Sequence, residues 1–239
     1  MRRPVLILAI GVVGCGAGTP GGVTRDTTPQ ATSLGEAHAG DYSLGPVAFS
    51  GSFWNSCAPY TPALEQQAGA MLAGHALKWN GSGELCDACV LVKSARGRSV
   101  VARVVTTGET QGPNDLDLSQ AAFDAISQGE YPRKMTWELV KCPAGGTVQY
   151  QFQTEANPYW SSLWVRNARV PIAKVEVKKG ASSELVRLVR GGDGTLTDAT
   201  GFGDGPFTLR VTAIDGQVIT DAFPKLVAGT VVPSASQFE

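Results

Sequence analysis

The C-terminal part of the chain is a series of short apolar runs separated by turns, and this pattern narrows the possible folds more than any other feature. From a glycine-flanked junction near residues 143 to 146 onward, strand-like runs recur at roughly ten-residue spacing with no helical periodicity, as in an all-β sandwich. The runs are "TVQYQFQ", "LWVRNAR", "IAKVEVKK", "ELVRLVR", "FTLRVTAIDG" and "QVITDAF". We therefore predict a β-sandwich domain over residues 146–239.

Residues 44–143 have a different texture, with short strands and a few helical segments. Strand character appears in "HALKWN", "CVLVKSA", "SVVARVVTT" and "MTWELVKC", and helical periodicity in "TPALEQQAGAML" and "SQAAFDAI". Ser119 is a good N-cap for the second helix. Two acids, Asp115 and Asp117, directly precede this helix and its partial positive charge, so they are either ordinary loop acids or functional carboxylates.

The N-terminus predicts export. "MRRPVLILAIGVVGC" has two arginines followed by an apolar stretch of roughly ten residues, too short to span a bilayer as a stable helix. We predict a lipoprotein-type signal peptide over residues 1–14, with Cys15 as the lipidated residue; the alternative is an ordinary signal peptide with an incidental cysteine. Residues 15–43 are rich in Gly, Thr, Ala and Pro, which predicts a flexible tether, and His38 in it is not expected to be a ligand.

The overall charge argues against nucleic acid as a partner. Twenty basic and twenty-one acidic residues give a net charge of -1, and no Lys/Arg run is longer than a pair. Phosphate-binding surfaces usually show a basic excess or stripe. We expect an uncharged or weakly charged partner.

Four cysteines remain after Cys15, an even number in an exported chain, which favours disulfides. They are Cys57, Cys86, Cys89 and Cys142. The CxxC in "LCDACVLV" would also suit a redox pair or half a zinc site, but it leads into a strand, and no second CxxC exists to complete a zinc site. We predict two structural disulfides, no metal and no cofactor.

One aromatic pair in the sandwich region is a candidate for sugar stacking. "NPYWSSLWVRN" sets Tyr159 and Trp160 side by side among small polar residues. In a regular strand one of the two would be buried, whereas a bulge or an edge position would expose both. Trp164 lies in a strongly apolar strand and is expected in the core.

The order and spacing of these motifs resemble those of bacterial expansins over residues 45 to 239. The motifs are "CDAC", "DLDLSQAAF", "WELVKCP", "YQF", "NPYW", "VRN", "VPI", "GPFTLRVT" and "DG". The resemblance implies a mainly β protein, with a six-stranded double-psi β-barrel over residues 44–143 followed by an immunoglobulin-like carbohydrate-binding sandwich. It also implies loosening of cellulose and hemicellulose networks without hydrolysis.

Within the barrel the resemblance assigns Asp117 to the aspartate of the family's "DLS" motif, the acid most needed for wall loosening. The second acid of the family's groove falls at Thr106, the groove aromatic falls at Gly108, and an early threonine falls at Ala48. Related endoglucanases use an aspartate after a Tyr-Trp pair; "FWNSC" is similar, with Trp54, but holds Asn55 at that position. Cleavage usually needs two carboxylates roughly 5 to 10 Å apart. We expect Asp117 to contact sugar hydroxyls, with Thr106 and Trp54 nearby, and Asp115 to face the opposite way toward solvent.

The resemblance also covers the sandwich and the cysteines. Tyr159 and Trp160 match the first two aromatics of the family's linear platform, and the third falls near Gly194. The cysteine positions imply that Cys57 pairs with Cys86 and that Cys89 pairs with Cys142.

Two functional hypotheses from different classes follow. The favoured one is a non-enzymatic, monomeric polysaccharide-binding protein, exported as an outer-membrane or cell-surface lipoprotein or secreted, touching membrane only through its lipid anchor and acting on cellulose, hemicellulose or related wall glycans. The alternative is a peptidoglycan-cleaving lytic transglycosylase similar to the rare lipoprotein A proteins, which share the barrel. The C-terminal sandwich and the pair Tyr159 and Trp160 favour the first.

Overall fold

The computed structural model describes the backbone of residues 30–40 and residues 56–57, 59–60, 66, 69–75, 83–107, 115–130 and 134–239. The predicted signal peptide and Cys15 lie outside the described residues, as do Ala48, Trp54, Asn55 and Gly108. Most of the segment "TPALEQQAGAML" is also outside them. No helix among the described residues is long and apolar enough to cross a membrane.

The first domain is a closed six-stranded barrel, as predicted, with the strand order β1-β5-β2-β4-β3-β6. Two strand pairs, β1 with β5 and β2 with β4, are parallel, and the other four pairs are antiparallel. The strands are β1 Gln30–Gly40, β2 Leu72–His75, β3 Cys89–Ser94, β4 Ser99–Thr107, β5 Leu116–Ser119 and β6 Lys134–Val140. Alternating apolar residues of β3 and β4, such as Val90, Val92 and Val104, are fully buried in the barrel core.

Strand β1 corrects the predicted domain boundary. Residues 15–43 were predicted to be a tether, but Gln30–Gly40 pairs with β5 on one side and with β6 on the other and so closes the barrel. The segment has few large apolar residues, and composition predicted disorder for that reason. A strand held through main-chain hydrogen bonds on both edges needs no such residues, so the barrel begins before residue 44.

The helix predicted after Ser119 is present as α1, Gln120–Ile126. The Ser119 hydroxyl accepts a hydrogen bond from the amide of Ala122 and donates one to the carbonyl of Ala70. The apolar side of the helix, formed by Ala122, Phe123 and Ile126, packs on the barrel core. Because Ser119 ends β5 and caps α1, Asp117 has a fixed place two residues before the N-cap of the helix.

The second domain is a β-sandwich of two sheets, as predicted, with the strand orders β10-β9-β13-β14 and β11-β12-β8-β7-β15. The predicted single run "ELVRLVR" is divided, because β10 pairs in one sheet and β11 in the other. The strands are β7 Gln149–Phe152, β8 Ser161–Arg166, β9 Ile172–Lys179, β10 Val186–Arg187, β11 Val189–Arg190, β12 Leu196–Asp198, β13 Phe207–Ala213, β14 Val218–Phe223 and β15 Val231–Pro233. Aromatic rings from both sheets meet in the core, where Phe152 of β7 packs edge-on against Phe223 of β14 at a centroid distance of 5.8 Å.

Both predicted disulfides are present. Cys57 is bonded to Cys86 with the Cα atoms 5.5 Å apart, and Cys89 to Cys142 with the Cα atoms 5.1 Å apart. One bridge holds the loop before β2 to the CxxC loop, and the other ties the start of β3 to the chain just after β6. The two bridges thus flank Asp87 and Ala88, the central residues of the CxxC motif.

Candidate functional site

The barrel brings Asp117 and Thr106 onto one row across three neighbouring strands. Gly74 in β2 is the register partner of Asp117 in β5 and also of Thr106 in β4. Directly paired residues share a face of the sheet, so both side chains project on the same side. Two strand spacings separate their backbones by about 10 Å, and glycine contributes no side chain between them. The positions that sequence comparison assigned to two groove acids are therefore neighbours in space, with a carboxylate at one and a hydroxyl at the other.

Asp117 is held on the outer side of β5 by the core residues that flank it. Leu116 and Leu118 are fully buried in the barrel core, so Asp117 between them points to the opposite face. Its own exposed fraction is only 7%. His38 of β1 is the register partner of Asp117 on its other side and so belongs to the strand that closes the barrel, not to a tether.

The expected orientation of Asp115 was wrong. Residues two apart in an extended chain lie on the same side, so Asp115 belongs with Asp117 and not opposite it. Asp115 immediately precedes β5 and is half-buried rather than solvent-facing.

Thr106 also has a structural partner. Its hydroxyl accepts a hydrogen bond from the amide of Ser56 at 3.2 Å and lies 3.3 Å from the Ser56 hydroxyl, to which it donates. Ser56 precedes the bridged Cys57, so Thr106 anchors the loop that carries this disulfide to strand β4.

In the sandwich, Tyr159 and Trp160 lie on a tight turn and not in a regular strand, which explains why both are accessible. The amide of Asn157 donates to the carbonyl of Trp160, and that of Trp160 to the carbonyl of Asn157. Tyr159, at the tip of the turn, is 78% exposed, and Trp160 is half-buried. The flat faces of such rings are suited to stacking on apolar surfaces such as those of pyranose rings.

Asn157 organises this turn, and the sequence analysis missed it. Its side-chain oxygen accepts hydrogen bonds from the amides of Tyr159 and Trp160, at 2.9 and 3.1 Å. An asparagine directly before a proline is a recognised turn signal, so the sequence did contain the information.

A glycine supports the turn from behind. Gly201 has a φ of +72°, and a Cβ atom at this position would lie 2.0 Å from the carbonyl oxygen of Pro158. The neighbouring Gly203 amide donates to the same carbonyl at 2.9 Å. The aromatic turn therefore rests on a second loop that has room only for glycine at its closest approach.

The position expected for a third platform aromatic is part of the contact between the two domains. Gly194 is buried, and a Cβ atom there would lie 2.7 Å from the Cβ of Cys86 in the barrel. Trp164 is 6% exposed, as expected, and its indole donates to the carbonyl of Asp193 in the same loop. Of the three platform positions that the resemblance implies, Tyr159 and Trp160 therefore remain as the candidates. Among the described residues no group of three or more His, Cys, Asp or Glu side chains could hold a metal ion.

Comparison with known proteins agrees with this fold. No protein-family model matches the chain. Expansin-like protein 3 of Dictyostelium discoideum is 28% identical over 176 residues, which are 70% of this chain and 51% of that protein. Expansin-YoaJ of Bacillus subtilis is 32% identical over 113 residues, 46% of this chain and 47% of that protein. The chain thus spans about half the length of the curated relatives that it matches.

Two solved structures extend the likeness over both domains. The crystal structure of the apo Clavibacter michiganensis expansin has a TM-score of 0.69 and 25% identity, covering 86% of this chain and 97% of that one. A mutant of the same expansin in complex with cellohexaose has a TM-score of 0.69 and 24% identity, covering 87% of this chain and 98% of that one. The chain is thus similar to expansin-like proteins and has the two-domain fold of a bacterial expansin.

Proposed function

We propose that this protein binds cellulose or a related uncharged wall glycan and loosens the polymer network without cleaving it. The aromatic turn carries the proposal, because it exposes Tyr159 almost fully and Trp160 in part on a support built from Asn157 and Gly201. A hydrated polysaccharide offers stacking faces but no charge, and the chain has a net charge of only -1. The cellohexaose complex of a protein with the same fold supports this class of ligand.

The barrel row supports binding without hydrolysis. Acid–base cleavage of a glycosidic bond needs two carboxyl groups that flank the bond. The row of Gly74 sets a hydroxyl, that of Thr106, across from Asp117, and a hydroxyl cannot act as a general acid or base near neutral pH. Asp115 is a second carboxylate on the side of Asp117, but it precedes Asp117 in the same extended segment, so the two acids do not face each other across a bound glycan. Asp117 is therefore assigned to hydrogen bonding with glycan hydroxyls, with Thr106 as a further contact; Trp54, which the sequence also suggested as a contact, lies outside the described residues.

The two parts of the site have different tasks in this proposal. Tyr159 is open to solvent, whereas Asp117 is 7% exposed and accessible only at its edge. We therefore expect the aromatic turn to supply most of the affinity and Asp117 to matter for weakening the bound network. The export signal and the two disulfides support action outside the cytoplasm, with Cys15 as the lipid anchor.

The first test replaces the aromatic turn. The variant with both Tyr159→Ala and Trp160→Ala should bind crystalline cellulose about tenfold more weakly or worse, because ring stacking is worth roughly 0.5 to 1.5 kcal/mol per ring. Val189→Ala is the control, since Val189 is a 72% exposed apolar residue elsewhere in the sandwich. Pull-down isotherms measure the effect, and parental binding by the double variant would refute the assignment of the platform.

The second test separates binding from cleavage at Asp117. Asp117→Asn should reduce the weakening of cellulose paper, because charge-assisted hydrogen bonds are worth about 1.5 to 3 kcal/mol. Asp124→Asn, an exposed acid on α1, should leave weakening unchanged. Neither the parent nor either variant should release soluble sugars from cellulose or anhydro-sugars from peptidoglycan. If the parent releases sugars and Asp117→Asn does not, the protein is an enzyme instead. Release of anhydro-sugars from peptidoglycan would then identify the lytic transglycosylase.

A further inference from the structure

A fully buried arginine joins the two domains. Arg166, the last residue of β8, has a side chain with 0% exposure and forms an ion pair with Asp87 of the barrel, whose side chain is 11% exposed. The second guanidinium nitrogen, Nη2, donates to the barrel carbonyls of Cys57 and Pro59 at 2.7 and 2.9 Å. The remaining Nε donates to the side chain of Gln151 in the sandwich at 3.1 Å. Every nitrogen of the guanidinium therefore has a partner, on both sides of the interface.

Aromatic rings from each domain flank the same guanidinium. Its central carbon lies 4.3 Å from the ring centroid of Tyr60 in the barrel and 5.0 Å from that of Trp164 in the sandwich. Burial and the nearby charge of Asp87 raise the pKa of Tyr60 well above its usual value, so this phenol is neutral under ordinary conditions. Arg166 is thus enclosed by a carboxylate, two barrel carbonyls and two ring faces, and its side chain has no contact with bulk solvent.

The barrel partners of Arg166 are fixed by the disulfides. Asp87 lies between Cys86 and Cys89 and has a φ of 66°, a conformation that Asp and Asn tolerate better than most residues. Its amide donates to the carbonyl of Val104 in β4 at 3.0 Å. Cys57, whose carbonyl accepts from Arg166, is the partner of Cys86. The disulfides and the Asp87 amide therefore hold these two acceptors through bonds made within the barrel itself.

The same segment of the sandwich also fixes the connection between the domains. Asn167 donates from its side-chain amide to the carbonyls of Gly145 and Thr147 at 2.7 and 2.8 Å. The carbonyl of Arg169 accepts from the amide of Cys142 at 2.7 Å. At the other end of the interface the Gly83 amide donates to the carbonyl of Gly191 at 3.0 Å. The cavity left beside Asp87, Val165 and Gly194 is about 20 Å³, room for one water molecule.

We propose that Arg166 is a positioning residue that locks the sandwich onto the barrel in one orientation, so that the aromatic turn and the Asp117 row act on the same polysaccharide. A buried charge is costly, and apolar residues of similar volume often stabilise a core as well or better. Apolar packing does not fix an angle between two domains, whereas a planar guanidinium bonded to Asp87, Cys57, Pro59 and Gln151 does. The functional half of this inference rests on the proposed function; the structural half does not.

The structural half is tested in solution without any polysaccharide. Arg166→Met should broaden the interdomain distance distribution from small-angle X-ray scattering and raise several-fold the rate of limited proteolysis at junction residues 143–147. Asp87→Asn is the milder second variant, because asparagine keeps the backbone conformation and removes only the charge; it should act in the same direction even if Arg166→Met fails to fold. Lys93→Met is the control, since Lys93 forms a solvent-exposed ion pair of 2.7 Å with Glu138, and both residues belong to the barrel domain. Parental scattering and cleavage in Asp87→Asn and in folded Arg166→Met would overturn the lock.

The functional half is tested by comparing binding with weakening. The unlocked variants should bind crystalline cellulose almost as well as the parent, because the aromatic turn is intact, but should weaken cellulose paper several-fold less per bound molecule. If a variant with a broadened interdomain distance distribution still weakens cellulose paper as much as the parent, the positioning role is overturned. If the parent itself does not weaken paper, the proposed function fails, while scattering and proteolysis still decide whether Arg166 locks the domains.

Discussion

The two domains are stabilised by different means although both are mainly β. The barrel contains both disulfides, whereas residues 146–239 of the sandwich contain no cysteine. The described part of the barrel core includes several alanines beside its valines and leucines. The sandwich core is rich in large rings, with Tyr150, Phe152, Phe202, Phe207 and Phe223 packed against one another.

This difference follows from how the strands of each domain are connected and from the side chains that each domain buries. The barrel pairs strands that are distant in sequence, such as β1 with β6, and carries polar residues on the face of the Asp117 row. Closing such loops costs chain entropy, which cross-links reduce by restricting the unfolded chain. The sandwich buries aromatic surface between two sheets and exposes Tyr159 on one turn. The barrel therefore depends more on covalent cross-links, and the sandwich more on apolar packing.

Removing the disulfides should give the largest effect and should be confined to the barrel. The bridges join residues separated by 29 and 53 positions. The loop-entropy model then assigns each bridge about 3.5 to 4 kcal/mol of stability. Cys57→Ser with Cys86→Ser, and Cys89→Ser with Cys142→Ser, should lower the hydrogen-exchange protection of β3, β4 and β6 and spare β9 and β13. Equal loss of protection in both domains would contradict the proposed division.

Truncating an aromatic side chain in the sandwich core should destabilise the sandwich and spare the barrel. Phe207 is 2% exposed and contacts Phe152, Phe202 and Phe223. Phe207→Ala should destabilise the sandwich by about 3 to 5 kcal/mol through lost burial and a cavity. Phe207→Leu, which retains much of the volume, should cost clearly less. Denaturant unfolding measures the loss of stability in each variant, and hydrogen exchange shows which domain it affects. Unchanged exchange in β13 and β14 would mean that apolar packing does not stabilise the sandwich.

The smallest expected effect is a pH-dependent change in the stability of the sandwich, and it concerns the carboxylate of Asp198. Burial alone would raise the pKa of Asp198, but hydrogen bonds from Lys179 and Thr200 outweigh it and hold that pKa below its usual value. Lys179 Nζ lies 2.6 Å from the carboxylate and joins the two sheets of the sandwich, since Lys179 ends β9 and Asp198 ends β12. Because the folded state favours the charged form, the stabilisation is complete above the ordinary carboxyl pKa and is lost as pH falls through the lowered value.

Asp198→Asn should therefore destabilise the sandwich by about 1 to 2 kcal/mol at neutral pH, and the difference from the parent should shrink below about pH 4. Asp215→Asn, an exposed acid in the β13–β14 turn, is the matched control and should have little effect at either pH. Unfolding curves at several pH values provide the measurement. A difference that grows toward acid would have the wrong sign and would disprove the assigned role of the carboxylate.

Much of the fold and part of the site could be predicted from local patterns. Alternating apolar residues identified most strands of both domains, and Ser119 identified the start of α1. The resemblance gave the six-stranded barrel and both cysteine pairs. The exposure of Tyr159 was left open between a strand and an irregular segment, and the turn organised by Asn157 decided it.

Several conclusions were out of reach because they depend on residues far apart in the sequence. A segment poor in large apolar residues, Gln30–Gly40, looked like a tether until β5 and β6 supplied its hydrogen-bonding partners. The spacing of Asp117 and Thr106 is set by Gly74, which neither motif contains. The resemblance implied that Gly194 replaces an aromatic of the platform, whereas in the structure this position lies where the sandwich contacts Cys86.

The sequence alone therefore determined most of the segments that become strands, where the helix starts and that the cysteines are structural, because side-chain periodicity, capping and export context are local signals. Only the tertiary structure decided which carboxylate and which hydroxyl share a row of the barrel, which strand closes the barrel and which arginine is buried between the domains. Strand register and domain docking are set by the summed packing and hydrogen bonding of many distant residues, and no local pattern encodes that sum. The "WVRN" motif illustrates the limit: it identified a strand, and the structure showed that its arginine, Arg166, belongs to both domains.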